Sequence, residues 1–310
     1  MNTIQSTLQR VEAPQTTLTA LAWVVIVIGS MVPVVIMRLF VPVVGDELLF
    51  PAWLAWAQVI LLAVLWAVSW VWSTIKPLRG LILALLAFCI GAFFISPAIR
   101  ESAAYTNWIS GASWGAALVS SPITGKFAPV VLMALTVIGS GLGRKGLFLG
   151  LGNLNAPAQR SRIFGIKETM PWTQLFRQFI LIFVAIFAIA LWMLIRPDIG
   201  KFSQALIFLP ACLIAAAING LAEEFQFRSV LLARLEPRVK PGQAMMMSAV
   251  LFASLHYYTG TPGGLLGAPL NIFFGWVASK SVLETRGLFW AWLLHFIADF
   301  MIYFFAAMTI

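Results

Sequence analysis

The chain has 310 residues, of which 61% are hydrophobic and 10% charged, and its mean hydropathy is +0.94. Apolar runs that approach or reach the ~20 residues needed to cross a hydrocarbon core exclude a soluble globular domain and predict a polytopic α-helical membrane protein. The net charge of +9 is distributed over short connections between those runs, so it excludes a nucleic-acid footprint and acts as an orientation signal.

Residues 1–18 form a polar tail with Arg10 and Glu12, suited to the membrane interface. The first apolar run is too long for a signal-peptide core and is read as a retained span, about 19–40. Span two covers about 51–72, with Asp46 and Glu47 before it, and span three about 81–95, preceded by Lys76 and Arg79. A polar connection follows over 96–126, with Trp108 and Trp114 at interfacial positions, and then a short fourth run over 127–138. The densest basic cluster, Arg144, Lys145, Arg160, Arg162 and Lys167, precedes span five at about 175–195. Span six starts near Ala205 and continues past Arg228 to Leu235; spans seven to nine cover about 244–258, 265–282 and 287–308. Cys89 and Cys212 lie inside apolar runs and read as packed thiols.

The basic clusters fall on one side if nine spans are counted, which places the N-terminus in the cytoplasm. The expected fold is an all-α polytopic transmembrane bundle of eight or nine spans with a polar cavity inside the membrane. It divides into the tail (1–18), N-terminal spans and loops (19–173) and a C-terminal helical core (174–310). The expected location is a prokaryotic cell membrane.

Two local patterns carry no chemistry. Gly141-Leu142-Gly143-Arg144-Lys145-Gly146 has dinucleotide-fingerprint letters but follows a membrane run instead of a strand. Met245-Met246-Met247 is adaptable apolar packing.

The polar residues of the last third do carry chemistry. Glu223-Glu224-Phe225-Gln226-Phe227-Arg228 sets two carboxylates inside span six, where each costs about 2.5–3.5 kcal/mol on insertion scales. Arg228 follows Glu224 by four residues, the spacing at which helical side chains pair, and Glu223 has no such local partner. Both histidines of the chain lie in later spans: His256 four residues after Phe252, and His295 four before Asp299. Carboxylates and imidazoles from three helices of one bundle suit hydrolysis of an amide by either of two routes. In one, Glu223 and His256 hold and deprotonate a water, while His295 and Asp299 stabilise the oxyanion. In the other, Glu223, His256 and His295 bind a zinc ion that activates the water, although the strong helical signature His-Glu-x-x-His is absent. A transporter using the same groups as a proton relay is the alternative from another class, and a non-catalytic membrane scaffold is a third.

Glu223-Glu224-x-x-x-Arg228, Phe252-x-x-x-His256 and His295-x-x-x-Asp299, in that order on late helices, resemble the CPBP family of intramembrane endopeptidases. These are the CAAX prenyl-protease-like, or Abi, proteins. The resemblance covers about 205–308. It implies a helical bundle with its site in the membrane, Glu223 and His256 activating the water, and His295 with Asp299 binding the oxyanion. Glu224 and Arg228 orient the site, Phe252 supports it, and no cofactor is required unless zinc serves. The implied substrate is a peptide or protein, prenylated in the CAAX case, met at the membrane lipid. Two positions depart from the pattern. Ser229 stands where many members have glycine, and Asp299 where the best-known prenyl proteases have asparagine. An ionised aspartate cannot donate to an oxyanion, so Asp299 is protonated, orients His295 or helps hold a metal. The threading sets His256 near the outer end of span seven and His295 in the inner third of span nine. The two meet only if span seven sits deeper, with Thr259 to Gly264 lining a cavity.

Overall fold

The computed structural model describes residues 16–40, 52–162 and 165–310. Most of the polar tail, with Arg10 and Glu12, and the Asp46–Glu47 connection lie outside the described residues. Two helices, α1 (Thr16–Ile28) and α2 (Val32–Phe40), stand where one first span was expected. Next come α3 (Ala52–Val68) and a continuous helical stretch, Lys76–Glu101. That stretch contains α4 (Arg79–Ile90), a π-helical segment (Gly91–Ile95) and α5 (Ser96–Glu101). Helix α6 (Ala103–Ser110) is capped by the Ser102 hydroxyl, which accepts from the Tyr105 amide. Helix α7 runs Trp114–Val137.

The polar connection expected over 96–126 is therefore largely helical, and the short fourth run is the second half of a 24-residue helix. Pro122 and Pro129 both lie inside α7. Proline removes an i→i−4 bond and usually ends a helix in water, but membrane helices tolerate it.

Two short strands, Pro157–Ala158 and Met170–Pro171, pair antiparallel before α8 (Trp172–Ile195). The stretch Ile199–Leu235 is helical throughout. It comprises α9 (Phe202–Ala205), α10 (Leu209–Glu224), a second π-helical segment (Phe225–Val230) and α11 (Leu231–Leu235). Helices α12 (Pro241–Thr259), α13 (Gly264–Thr285) and α14 (Phe289–Ala307) complete the described chain, each within a few residues of a predicted span. Among the described residues, five helical stretches are long and apolar enough to cross a membrane. Helix α8 presents Leu181, Ile182, Ile186, Ile189 and Met193 on its exterior, the surface a lipid-facing helix requires. The molecule is an integral membrane protein of the helical-bundle type.

The chain forms two compact units, each drawn from three segments. The first holds the described part of Met1–Ile90, Leu132–Gly141 and Val230–Trp276. Its core is the α3–α4 pair with Leu62, Leu81, Ile82 and Leu85 buried. The break between α1 and α2 falls at Gly29-Ser30, with Pro33 in the first turn of α2. A helix break strands backbone groups that lipid cannot satisfy. Gln58, buried on α3, donates to the carbonyls of Ile28 at 2.8 Å and Ser30 at 2.5 Å, and the Met31 amide donates to Ser254 Oγ of α12 at 3.0 Å. Arg234 of α11 is buried and donates to the Thr136 carbonyl at 2.8 Å.

The second unit holds Gly91–Val131, Leu142–Ser229 and Val277–Ile310. Helices α10 and α14 pack along their lengths and α8 lies against α14. Gly91 allows the first π segment to reach α7, since a Cβ there would come within 2.5 Å of the Pro129 backbone. Glu284 of α13 pairs with Lys280, accepts from Trp172 Nε1 at the start of α8 at 2.8 Å, and accepts from the Gln159 amide of the loop after α7 at 3.4 Å. Gly152, at φ +73°, lies against the backbone of Thr285 and Gly287.

Candidate active site

The site in the second unit is built by the α10–α14 contact. Asn219 and Glu223 lie one turn apart on α10, and His295 and Asp299 one turn apart on α14, so each helix offers a polar pair on one face. Asn219 Nδ2 donates to Asp299 Oδ2 at 2.9 Å and lies 3.5 Å from Glu223 Oε1. His295 Nδ1 is 2.8 Å from Glu224 Oε1; a carboxylate accepts, so this ring nitrogen carries the hydrogen. His295 Nε2 is 3.6 Å from both Glu223 Oε2 and Asp299 Oδ2. Arg228 Nη1 pairs with Glu224 Oε1 at 3.2 Å, as the sequence spacing requires. Glu223 is only 2% exposed, and Glu224 and Arg228 are fully enclosed.

Glu223 also has a partner from outside this face. Lys126 of α7 places Nζ 2.6 Å from Glu223 Oε1. Three carboxyl groups thus meet two permanent cations, Lys126 and Arg228. Beside the cluster lies a cavity of about 430 Å³, lined by apolar groups such as Ile123, Phe127, Leu149, Leu221 and Phe225, with Lys126 on its wall.

The second π segment begins directly after Glu224. Wider i→i+5 turns of this kind recur at functional sites. Ser229 within it donates to the Leu147 carbonyl at 2.5 Å, which ties the segment to the loop after α7. The serine that departs from the family pattern therefore makes a specific bond.

His256 and Phe252 belong to the first unit, on α12. Their ring centroids lie 4.1 Å apart with the planes tilted by 33°, and Phe274 stacks on Phe252 at 5.8 Å. His256 Nδ1 lies 2.9 Å from the Phe252 carbonyl. A carbonyl can only accept, so Nδ1 is protonated and the lone pair of the neutral ring is on Nε2.

The structure thus gathers Glu223, Glu224, Arg228, His295 and Asp299 in one unit, and adds Lys126 and Asn219, which sequence reasoning missed. Among the described residues, no three His, Cys, Asp or Glu side chains are arranged to hold a metal ion. The carboxylate oxygens instead face Lys126, Arg228, Asn219 and His295.

Comparison with known families gives one result. Residues 204–301 match the family model described as type II CAAX prenyl endopeptidase Rce1-like. The match is to the CAAX protease family. It bears out the resemblance read from the sequence and supports a CAAX-type intramembrane protease in general, with a peptide or protein substrate. The CAAX protease-like segment contains Asn219, Glu223, Glu224, Arg228, Phe252, His256, His295 and Asp299; Lys126 lies outside it. No curated protein and no solved structure matches the chain.

Proposed function

We propose that the protein is an intramembrane endopeptidase that cleaves a peptide bond by a metal-free route with Glu223 as general base. The observation that carries the reading is a carboxylate, 2% exposed, held between Lys126 Nζ at 2.6 Å and His295 Nε2 at 3.6 Å. Glu223 takes a proton from a water, the resulting hydroxide attacks the scissile carbonyl carbon, and the carbonyl oxygen becomes an oxyanion. Glu223 then returns the proton to the leaving amine as the C–N bond breaks. The family resemblance alone gives His256 a part in activating the water. In this reading His295 is doubly protonated, Nδ1 donating to Glu224 and Nε2 to the oxyanion, and Asn219 supplies a second N–H donor. Asp299 orients them: its Oδ2 accepts from Asn219, so it needs no proton of its own to serve. Glu224 fixes the His295 ring, and Arg228 balances Glu224.

The test is cleavage of a fluorogenic prenylated CAAX peptide by the purified protein, with and without a strong chelator. Turnover should survive chelation, and Glu223→Gln should lower kcat by about 10²–10⁴-fold, the share usual for a positioned base. Loss of turnover on chelation with restoration by zinc would overturn the reading.

A further inference from the structure

We propose that Lys126 is a positioning residue of the active site, whose fixed positive charge holds the Glu223 carboxylate in place for catalysis. The inference rests on the reading of Glu223 as the general base. Lys126 is the thirteenth residue of the 24-residue helix α7, inside a stretch apolar enough to cross a membrane. A lysine at that depth is costly and is kept where it meets a specific partner. Here the partner is Glu223 Oε1, 2.6 Å from Nζ.

The other charged groups around Glu223 are differently engaged. Arg228 pairs with Glu224 at 3.2 Å. His295 commits Nδ1 to Glu224 at 2.8 Å and brings Nε2 no nearer than 3.6 Å to Glu223 Oε2. Asp299 faces His295 and takes the Asn219 amide. Among these contacts of the described residues, the shortest to Glu223 is that of Lys126, from a helix outside the segment that matches the protease family.

The two partners also differ in access. The Lys126 side chain is 34% exposed, on the wall of the apolar cavity, whereas that of Glu223 is 3% exposed. A small reagent can reach position 126 without entering the cluster, so charge can be removed and put back chemically. Cys89 and Cys212 are buried, which makes a cysteine at 126 the accessible thiol.

The experiment compares Lys126→Cys before and after alkylation with 2-bromoethylamine, which rebuilds a lysine-length ammonium, and with iodoethane, which adds similar bulk without charge. Expected are a loss of at least about tenfold in kcat with KM within about twofold, recovery on aminoethylation, and none on ethylation. Wild-type kcat in Lys126→Cys, or equal recovery with both reagents, would overturn the proposal. A second measurement needs no turnover. Lys126→Met should lower the thermal unfolding midpoint in the native background, where it strands a buried carboxylate, and much less in Glu223→Gln. Equal shifts in the two backgrounds would refute the pairing. Full turnover in Glu223→Gln would instead overturn the base reading, and the midpoint cycle would still decide whether the ion pair forms.

Discussion

Asn219 is an uncharged amide among carboxylates, and its two N–H bonds make it the neutral donor of the cluster. It already donates to Asp299 at 2.9 Å and points towards Glu223. If it also serves the oxyanion, Asn219→Ala should lower kcat by about 10²–10³-fold, the usual loss for one such donor. KM for the same peptide should change little, which steady-state cleavage rates would show. Glu223, Glu224, Arg228, His295 and Asp299 were legible in the sequence because an ionisable group in an apolar run is conspicuous and their spacings repeat the helical turn. Asn219 was not, since a single amide in a span carries no charge to flag. Lys126 was hidden for a different reason. It is the last residue of the polar stretch 96–126, which reads as a connection, whereas α7 begins within that stretch at Trp114.

At the scale of elements, apolar length located the late helices well and the early ones poorly. Helices α8 and α12 to α14 begin and end within a few residues of the predicted spans, because each is one uninterrupted apolar segment. The break at Gly29-Ser30 escaped because hydropathy counts Met31 to Val35 as more of the same run. What makes the break tenable comes from elsewhere, in the Gln58 amide that serves two carbonyls. Gln58→Leu keeps the volume and removes both bonds. Each stranded carbonyl costs about 1–3 kcal/mol, so the variant should unfold at clearly lower temperature in detergent. A variant as stable as the native protein would show that the two carbonyls find other donors.

The membrane character of the whole molecule followed from composition alone, and the family resemblance of residues 204–301 from three short motifs. Its grouping into two units of three segments each did not, because hydropathy marks which helices are apolar and not which ones touch. Within the second unit, the loop after α7 is held by backbone contact at Gly152, whose φ of +73° and neighbours leave no room for a side chain. Gly152→Ala should therefore cost about 1–3 kcal/mol in backbone strain alone and open the loop to limited proteolysis near Arg160 and Arg162. The same interleaving gives the Lys126–Glu223 pair a history. Ninety-seven residues separate the two, so a ribosome delivers the lysine to the bilayer well ahead of its carboxylate. Until α10 follows, that lone charge carries an insertion cost of about 2.5–3.5 kcal/mol at mid-bilayer, relieved only by reaching for the headgroups. The lysine of α7 thus waits for its carboxylate, and the pair joins α7 to α10 only once Glu223 has been made.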